Sequence, residues 1–143
     1  MAIWFNRPSL EDMQKRGENT MVPFLGIEIT EVGDDYLKAT MPVDHRTKQP
    51  LGLLHGGANC VLAESVGSIA ANYCIDSSKY FAVGLDINAN HLRSVRDGLV
   101  TAIAKPLHMG KTTQVWEIKI ENEEGKLACI SRLTMAVVER KPK

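Results

Sequence analysis

Between Leu51 and Ile75 the chain carries a single formal charge, Glu64. The segment reads LGLLHGGANCVLAESVGSIAANYCI, and after His55-Gly56-Gly57 it keeps a helical pattern for about five turns. On a helical wheel Gly57, Cys60, Val61, Gly67, Ser68 and Ala71 fall within about 60° of Glu64, and Leu62, Val66, Ile69 and Tyr73 fall opposite. One face is therefore a bulky apolar stripe fit to meet a core. The other is a strip of small side chains with a lone carboxylate at its centre. Small side chains admit a neighbouring backbone or a ligand at close range. A carboxylate among them is expected to be partly desolvated, the condition under which acids become reactive. The plainer alternative is a buried glutamate that pairs with a base or caps a neighbour.

At 143 residues the chain is sized for one domain, residues 1–143, with its own core. Its 17 basic and 17 acidic residues cancel, which argues against nucleic acid as a partner, because phosphate binding usually shows as a basic excess. Cys60, Cys74 and Cys129 are odd in number and lack metal-type spacing, so they read as reduced core thiols of a cytoplasmic protein. The start MAIWFNRPSLED has no basic stretch followed by an apolar one and does not read as a signal peptide. His55, Asn59, Glu64 and Asn72 interrupt the apolar segment, so it does not read as a membrane span. No repeat or low-complexity tract divides the chain.

Local signals fill in the rest. Ser9 is placed to cap a short helix that carries Leu10 and Met13 on one face and ends at Gly17. Two extended runs between Phe24 and Val43 flank Gly33-Asp34-Asp35, a hairpin turn. Pro42 to Leu54 is a loop, and the long helix follows it. Phe81, Val83, Leu85, Ile87 and Ala89 then alternate with polar residues and glycine, the period of a half-buried strand. Leu99 to Ala104 is a further short strand. Trp116, Ile118 and Ile120 alternate with charges, and a turn at Asn122 to Gly125 leads to a last strand, Leu127 to Val138. Turns of these lengths make strands antiparallel, and one long helix must pack across the resulting sheet. The fold class is α+β, an antiparallel sheet plus one buried helix.

Four segments carry a resemblance: MVPFLGIEI, MPVDHRTKQPLGLLHGGANCVLAESVGS, GLDINANHLRS and KPLHMGKTTQVWEI. Together they resemble the hotdog-fold acyl-CoA thioesterases of the phenylacetate/hydroxybenzoyl-CoA type, over roughly Ser9 to Val138. Within that family the likeness leans towards the dihydroxynaphthoyl-CoA hydrolases of menaquinone biosynthesis, and nearly as much towards the proofreading branch of enterobactin assembly. The resemblance implies an antiparallel sheet wrapped around one central helix, and a homotetramer built as a dimer of dimers with each site shared across a dimer interface. It implies Glu64 as the catalytic carboxylate, and Gly56 as the glycine whose N–H polarises the thioester carbonyl. Gln49 would supply an amide near the same oxygen, His55 would orient that corner, Ser68 would lie one turn beyond the carboxylate, and His91 would stand at the acyl pocket. The implied substrate is an acyl-CoA with an aromatic acyl group, or an acyl group on the phosphopantetheine arm of a carrier protein. No cofactor and no metal is implied, coenzyme A being part of the substrate.

These residue types suit thioester hydrolysis on chemical grounds. A thiolate leaves readily, so the reaction needs an attacking oxygen and a place for an oxyanion. A carboxylate supplies the attack by deprotonating water or by adding to the carbonyl itself. Gly56 stands in the first helical turn, where N–H groups are unpaired and the dipole is positive, and its missing Cβ leaves that N–H open. One such donor is worth roughly 3–4 kcal/mol in the transition state. A plain loop-to-helix junction is the alternative for Gly56-Gly57, and a hydroxyl bonded back to a helix carbonyl is the alternative for Ser68.

Arg93, Arg96, Lys105, His108 and Lys111 are the candidate cations for the phosphates of coenzyme A. Gly84, Leu92, Ser94, Met109, Gly110, Thr112 and Thr113 complete the candidate substrate-binding set, with Gly110 open to backbone approach. The alternative is a set of solubilising charges at strand ends. Two rival activities are weighed. A hotdog hydroxyacyl dehydratase would enter its helix through His and Pro-Gly steps rather than His-Gly-Gly. A non-catalytic acyl-CoA sensor would not need Glu64.

Overall fold

A computed structural model describes residues 1–142. Helix α1 spans Leu10–Arg16, and Ser9 caps it by accepting from the Asp12 N–H at 3.0 Å. Acidic residues in its first turn and basic ones in its last complement the helix dipole. A single turn, α2 (Met21–Phe24), is capped by Thr20. Strands β1 (Glu28–Val32) and β2 (Leu37–Pro42) form the expected hairpin. Helix α3 runs Gly56–Tyr73. Then follow β3 (Tyr80–His91), β4 (Leu99–Met109), β5 (Thr113–Glu121) and β6 (Leu127–Glu139). The six strands form one antiparallel sheet in the order β1-β2-β4-β5-β6-β3. The sheet curls around α3, which touches β2, β3, β4, β5 and β6. This is the hotdog arrangement.

The buried face of α3 is rotated from the bulky stripe. Leu62 and Val66 are fully buried, but so are Ala63, Ala70 and Ala71, and Gly67 is buried with them; Ile69 and Tyr73 are only half-buried. The small residues win because they let the helix backbone settle onto the sheet. A Cβ at Gly67 would stand 2.7 Å from a methyl of Leu133. The sheet answers with Leu37, Met41, Trp116, Ile118, Ile120, Leu133 and Met135, all fully buried. Cutting Leu62 or Leu133 back to alanine would cost about 2–5 kcal/mol.

Two boundaries and one alternation differ from the sequence pattern. Residues 21–24 form a helical turn, so extended backbone begins at Glu28 rather than Phe24. Strand β4 does not end at Ala104 but runs on to Met109, absorbing Pro106 at a bulge between Pro106 and His108. Strand β3 alternates as expected only in part. A register shift between Gly84 and Asp86 interrupts it, and Val83 and Leu85 are 42% and 62% exposed. Among the described residues β3 has no neighbour beyond β6: it is a twelve-residue edge strand.

The N-terminal segment is fastened down. Trp4 Nε1 donates to the Gly33 carbonyl at 2.8 Å, and the Phe5 N–H donates to the Tyr73 carbonyl at 2.9 Å. Tyr73 in turn donates its hydroxyl proton to Asp12 at 2.5 Å. These ties hold α1 and α2 over the half-buried side of α3. No described helix is long and apolar enough to cross a membrane.

Candidate active site

The loop before α3 is built on Thr47, 2% exposed, which bonds to the Pro42 carbonyl at 2.8 Å and accepts from the Asp44 N–H at 3.1 Å. Arg46 folds onto Asp44, with its Nη2 2.7 Å from Oδ2, and holds that carboxyl down at about 2. Beyond them Lys48 bridges Leu54, the Gln49 N–H donates to Leu53 at 2.8 Å, and the His55 N–H donates to Thr47 at 2.8 Å. The side chain of Gln49 accepts from the Leu51 N–H, which leaves its amide nitrogen for another partner.

His55 is the N-cap of α3, its Nδ1 accepting from the Gly57 N–H at 2.8 Å. The Gly56 N–H has no partner among the described residues. His91 lies over this turn: a Cβ on Gly56 would stand 2.9 Å from His91 Nε2. Nδ1 of the same ring is 3.2 Å from Asn59 Nδ2. Gly56, His55, His91 and Asn59 thus gather at the first turn of α3, and Arg93 and Ser94 follow on the exposed chain just past β3.

Glu64 sits elsewhere. It follows Gly56 by eight residues, ~12 Å along the helix axis. Its carboxylate leans on β3, where a Cβ on Gly84 would overlap Oε2. Burial and the Glu64 charge together push the Cys60 thiol up. The Cys129 and Cys74 thiols are pushed to about 11 and about 12, chiefly by burial, so all three cysteines stay as thiols at neutral pH. Glu64 and Ser68 share a shallow hollow of about 460 Å³ with Val22 of α2. Ser68, Val22 and Ile69 also line a second hollow, about 790 Å³, which runs on under α1 to Met13, Asn72 and Tyr73. The two form one trough along α3 that leads away from Glu64.

The sheet register divides the candidate residues in the same way. His91 pairs with Cys129 at one end of β6, whereas Thr113 pairs with Ala136 seven residues on, roughly 23 Å away. Gly84 pairs with Met135, beside the second of these ends. One chain therefore presents two separate groups. The first holds Gly56, His55, His91, Leu92, Arg93 and Ser94. The second holds Glu64, Ser68, Gly84 and the β4–β5 turn with His108, Met109, Gly110, Lys111, Thr112 and Thr113. In that turn His108 lies so close over Gly110 that a Cβ there would be 2.6 Å from Nε2. Lys105 stands apart from both, 3.9 Å from Asp35 and over the Tyr36 ring of the hairpin. No cluster of three or more described His, Cys, Asp or Glu residues is placed to hold a metal.

The sequence profile of the thioesterase superfamily matches residues 51–129, the span that carries both groups. The chain belongs to that superfamily. It is 54% identical to the 1,4-dihydroxy-2-naphthoyl-CoA hydrolase of Escherichia coli K12, over 95% of this chain and 99% of that one. It is 48% identical to the proofreading thioesterase EntH of Cronobacter turicensis, over 95% of this chain and 98% of that one. A crystal structure of a glutamine-to-alanine mutant of thioesterase PA1618 from Pseudomonas aeruginosa matches with a TM-score of 0.96 at 50% identity, covering 97% of this chain and 100% of that one. The protein is an enzyme, a thioesterase, and the dehydratase and the non-catalytic sensor are set aside.

Two asparagines of this thioesterase escaped the sequence reading. Asn72 donates to the carbonyls of Ser68 at 2.9 Å and Ala82 at 3.1 Å and accepts from the Ala82 N–H at 2.9 Å, so it pins β3 to α3 and sets Gly84 against Glu64. Asn59 is 4% exposed beneath His91. Polar amides inside an apolar helix were the available signal; in the sequence they counted only as interruptions. Val22 of α2 had no signal, because its role exists only once α2 folds over α3.

Proposed function

We propose that this thioesterase hydrolyses acyl-CoA thioesters with aromatic acyl groups, at sites each completed by a second copy of the chain. The carrying observation is the gap of ~12 Å between Glu64 and the Gly56 N–H on one helix. A carboxylate attacking a carbonyl carbon and a donor on its oxygen must both lie within about 3 Å of the reacting atoms. One chain does not meet that condition.

The exposed edge of β3 supports the second copy. A long unpaired edge with Val83 and Leu85 exposed invites antiparallel pairing with itself. Pairing about a two-fold near Ile87 and Asn88 sets Gly84 of one chain against the His91 position of the other. Glu64 of one chain then meets Gly56, His55 and Gln49 of its neighbour. The same step brings Arg93 and Ser94 towards the β4–β5 turn of the neighbour, so that the cations divided within one chain surround one coenzyme A. Two such dimers form the homotetramer of this reading.

At the joined site the Gly56 N–H and the dipole of α3 hold the thioester oxygen as it gains charge. Glu64 deprotonates water or adds to the carbonyl carbon, the C–S bond breaks, and the coenzyme A thiolate leaves. Ser68, one turn on from Glu64, holds the carboxylate or the water. His55 keeps the Gly57 N–H occupied and the first turn rigid. The acyl group lies in the trough along α3. The hydrolase from E. coli supports an aromatic acyl-CoA. The EntH relative supports a second reading, an acyl group held on a carrier-protein phosphopantetheine arm.

The test is thiol release with a thiol reagent across aromatic and aliphatic acyl-CoAs and an acylated carrier protein, alongside sedimentation. Faster turnover of aromatic acyl-CoA by a tetramer is expected. A monomer at micromolar concentration with undiminished kcat would overturn the shared site.

A further inference from the structure

Asn59 stands on α3 one turn above Gly56, 4% exposed. Its side chain makes one hydrogen bond among the described residues, to His91 Nδ1 at 3.2 Å, and its Oδ1 is buried without a partner. A buried, half-satisfied amide inside a helix is unfavourable twice over, through its poor helix preference and through its desolvated oxygen. Packing does not call for it, since a leucine would fill a similar volume with no polar atom. What the amide does supply is a fixed donor beneath an imidazole whose other nitrogen abuts the open N-terminal turn of α3.

We propose that Asn59 is a positioning residue that locks His91 as the Nε2–H tautomer, so that His91 Nε2–H joins the Gly56 N–H as a donor to the thioester oxygen. The proposal rests on the thioesterase site described above. A neutral imidazole carries one proton. With Asn59 Nδ2 donating to Nδ1, that nitrogen is an acceptor, and the proton is on Nε2. Nε2 is the nitrogen packed against Gly56. The geometry thus turns a ring that could face the site with a lone pair into one that faces it with a donor. Substitution of Asn59 disturbs the ring without touching substrate, because Asn59 lies behind it.

Two variants and two readouts test this. Asn59→Leu removes the lock at similar volume; Asn59→Asp replaces the donor with an acceptor and draws the proton onto Nδ1. In the parent, long-range ¹H–¹⁵N correlation of the His91 ring is expected to show a bare Nδ1 and a protonated Nε2. Asn59→Asp should move the proton to Nδ1, and Asn59→Leu should leave a mixture. On an acyl-CoA substrate both variants should lose kcat by ~10–100-fold, at or below the ~10²–10³-fold for outright loss of an oxyanion donor because the ring is misoriented rather than removed, while KM stays within about threefold. A parental His91 protonated on Nδ1, or an Asn59→Leu protein with parental tautomer and parental kcat, overturns the proposal. The tautomer is read without turnover, so a parent with the Nε2–H ring but no hydrolysis of any thioester would overturn the proposed function instead.

Discussion

The carboxylate of Glu64 occupies the space that a Cβ on Gly84 would need. The two residues come from different elements, α3 and the edge strand β3, and the contact fixes where the carboxylate points. Gly84 has no positive φ, so an alanine there is free of backbone strain and acts only through that overlap. Gly84→Ala should therefore leave the folded state within about 1 kcal/mol of the parent while pushing the carboxylate aside. Displacement of a reacting group by about 1 Å costs on the order of 10²-fold in rate. Thermal unfolding and steady-state kinetics on one acyl-CoA check both halves.

Glu64→Gln keeps size and shape and removes the charge. A positioned base contributes ~10²–10⁴-fold, so kcat should fall at least that far, while KM, set mostly by the coenzyme A portion, moves little. Retention of more than about a tenth of parental kcat, with the oligomer intact, would make the carboxylate structural.

Mixing supplies a test of the shared site that no single variant offers. Glu64→Gln and Gly56→Ala each damage one contribution, the latter by driving a Cβ into His91. Alone, both should be nearly inactive. Unfolded together and refolded, they form mixed pairs in which one of two sites is whole, so activity should return to about a quarter of the parent's. No recovery would place both residues in one chain's site.

Arg93→Ala and Lys111→Ala should raise KM for coenzyme A esters more than they lower kcat, because the phosphates lie far from the reacting carbon. The effect should shrink as salt rises. Parental affinity in both variants at low salt would move the nucleotide site elsewhere.

Acid should loosen the loop that carries Gln49 before it unfolds the core. Arg46 holds the Asp44 carboxyl at about 2, below its ordinary 3.8. A lowered value means that this contribution to stability is whole above about pH 4 and is lost as pH falls through about 2. Asp44→Asn should therefore be less stable than the parent at pH 6, with the difference shrinking below about pH 4 and gone only below about pH 2, by chemical denaturation at each pH.

The sheet and the central helix were legible because alternation in Trp116, Ile118 and Ile120 and the apolar run of α3 each have one structural solution. The facing of α3 was not. The sequence wheel weighs bulk, whereas the helix seats by closeness, and Gly67 and Ala71 go inwards where Ile69 and Tyr73 do not. Glu64, Gly84, His91 and Gly56 were each named, but the contacts of Glu64 with Gly84 and of His91 with Gly56 were not, and their separation into two groups follows from the β6 register, which no local pattern encodes. Asn72 acts through a pair of hydrogen bonds to Ala82 and Asn59 through one to His91, and such bonds across elements leave no periodic trace.

Under the proposed shared site, the two ends of the chemistry stand on one rigid helix, ~12 Å apart along its axis. For an enzyme built in this way, rate per milligram is not a constant of the molecule. Diluted below the point where chains pair, its output should fall with the square of concentration rather than in proportion, and a cell making little of it would have close to none of its activity. The same rigidity gives each inherited change two addresses: a substitution at either end of α3 reaches both sites of a pair at once, each through a different chain.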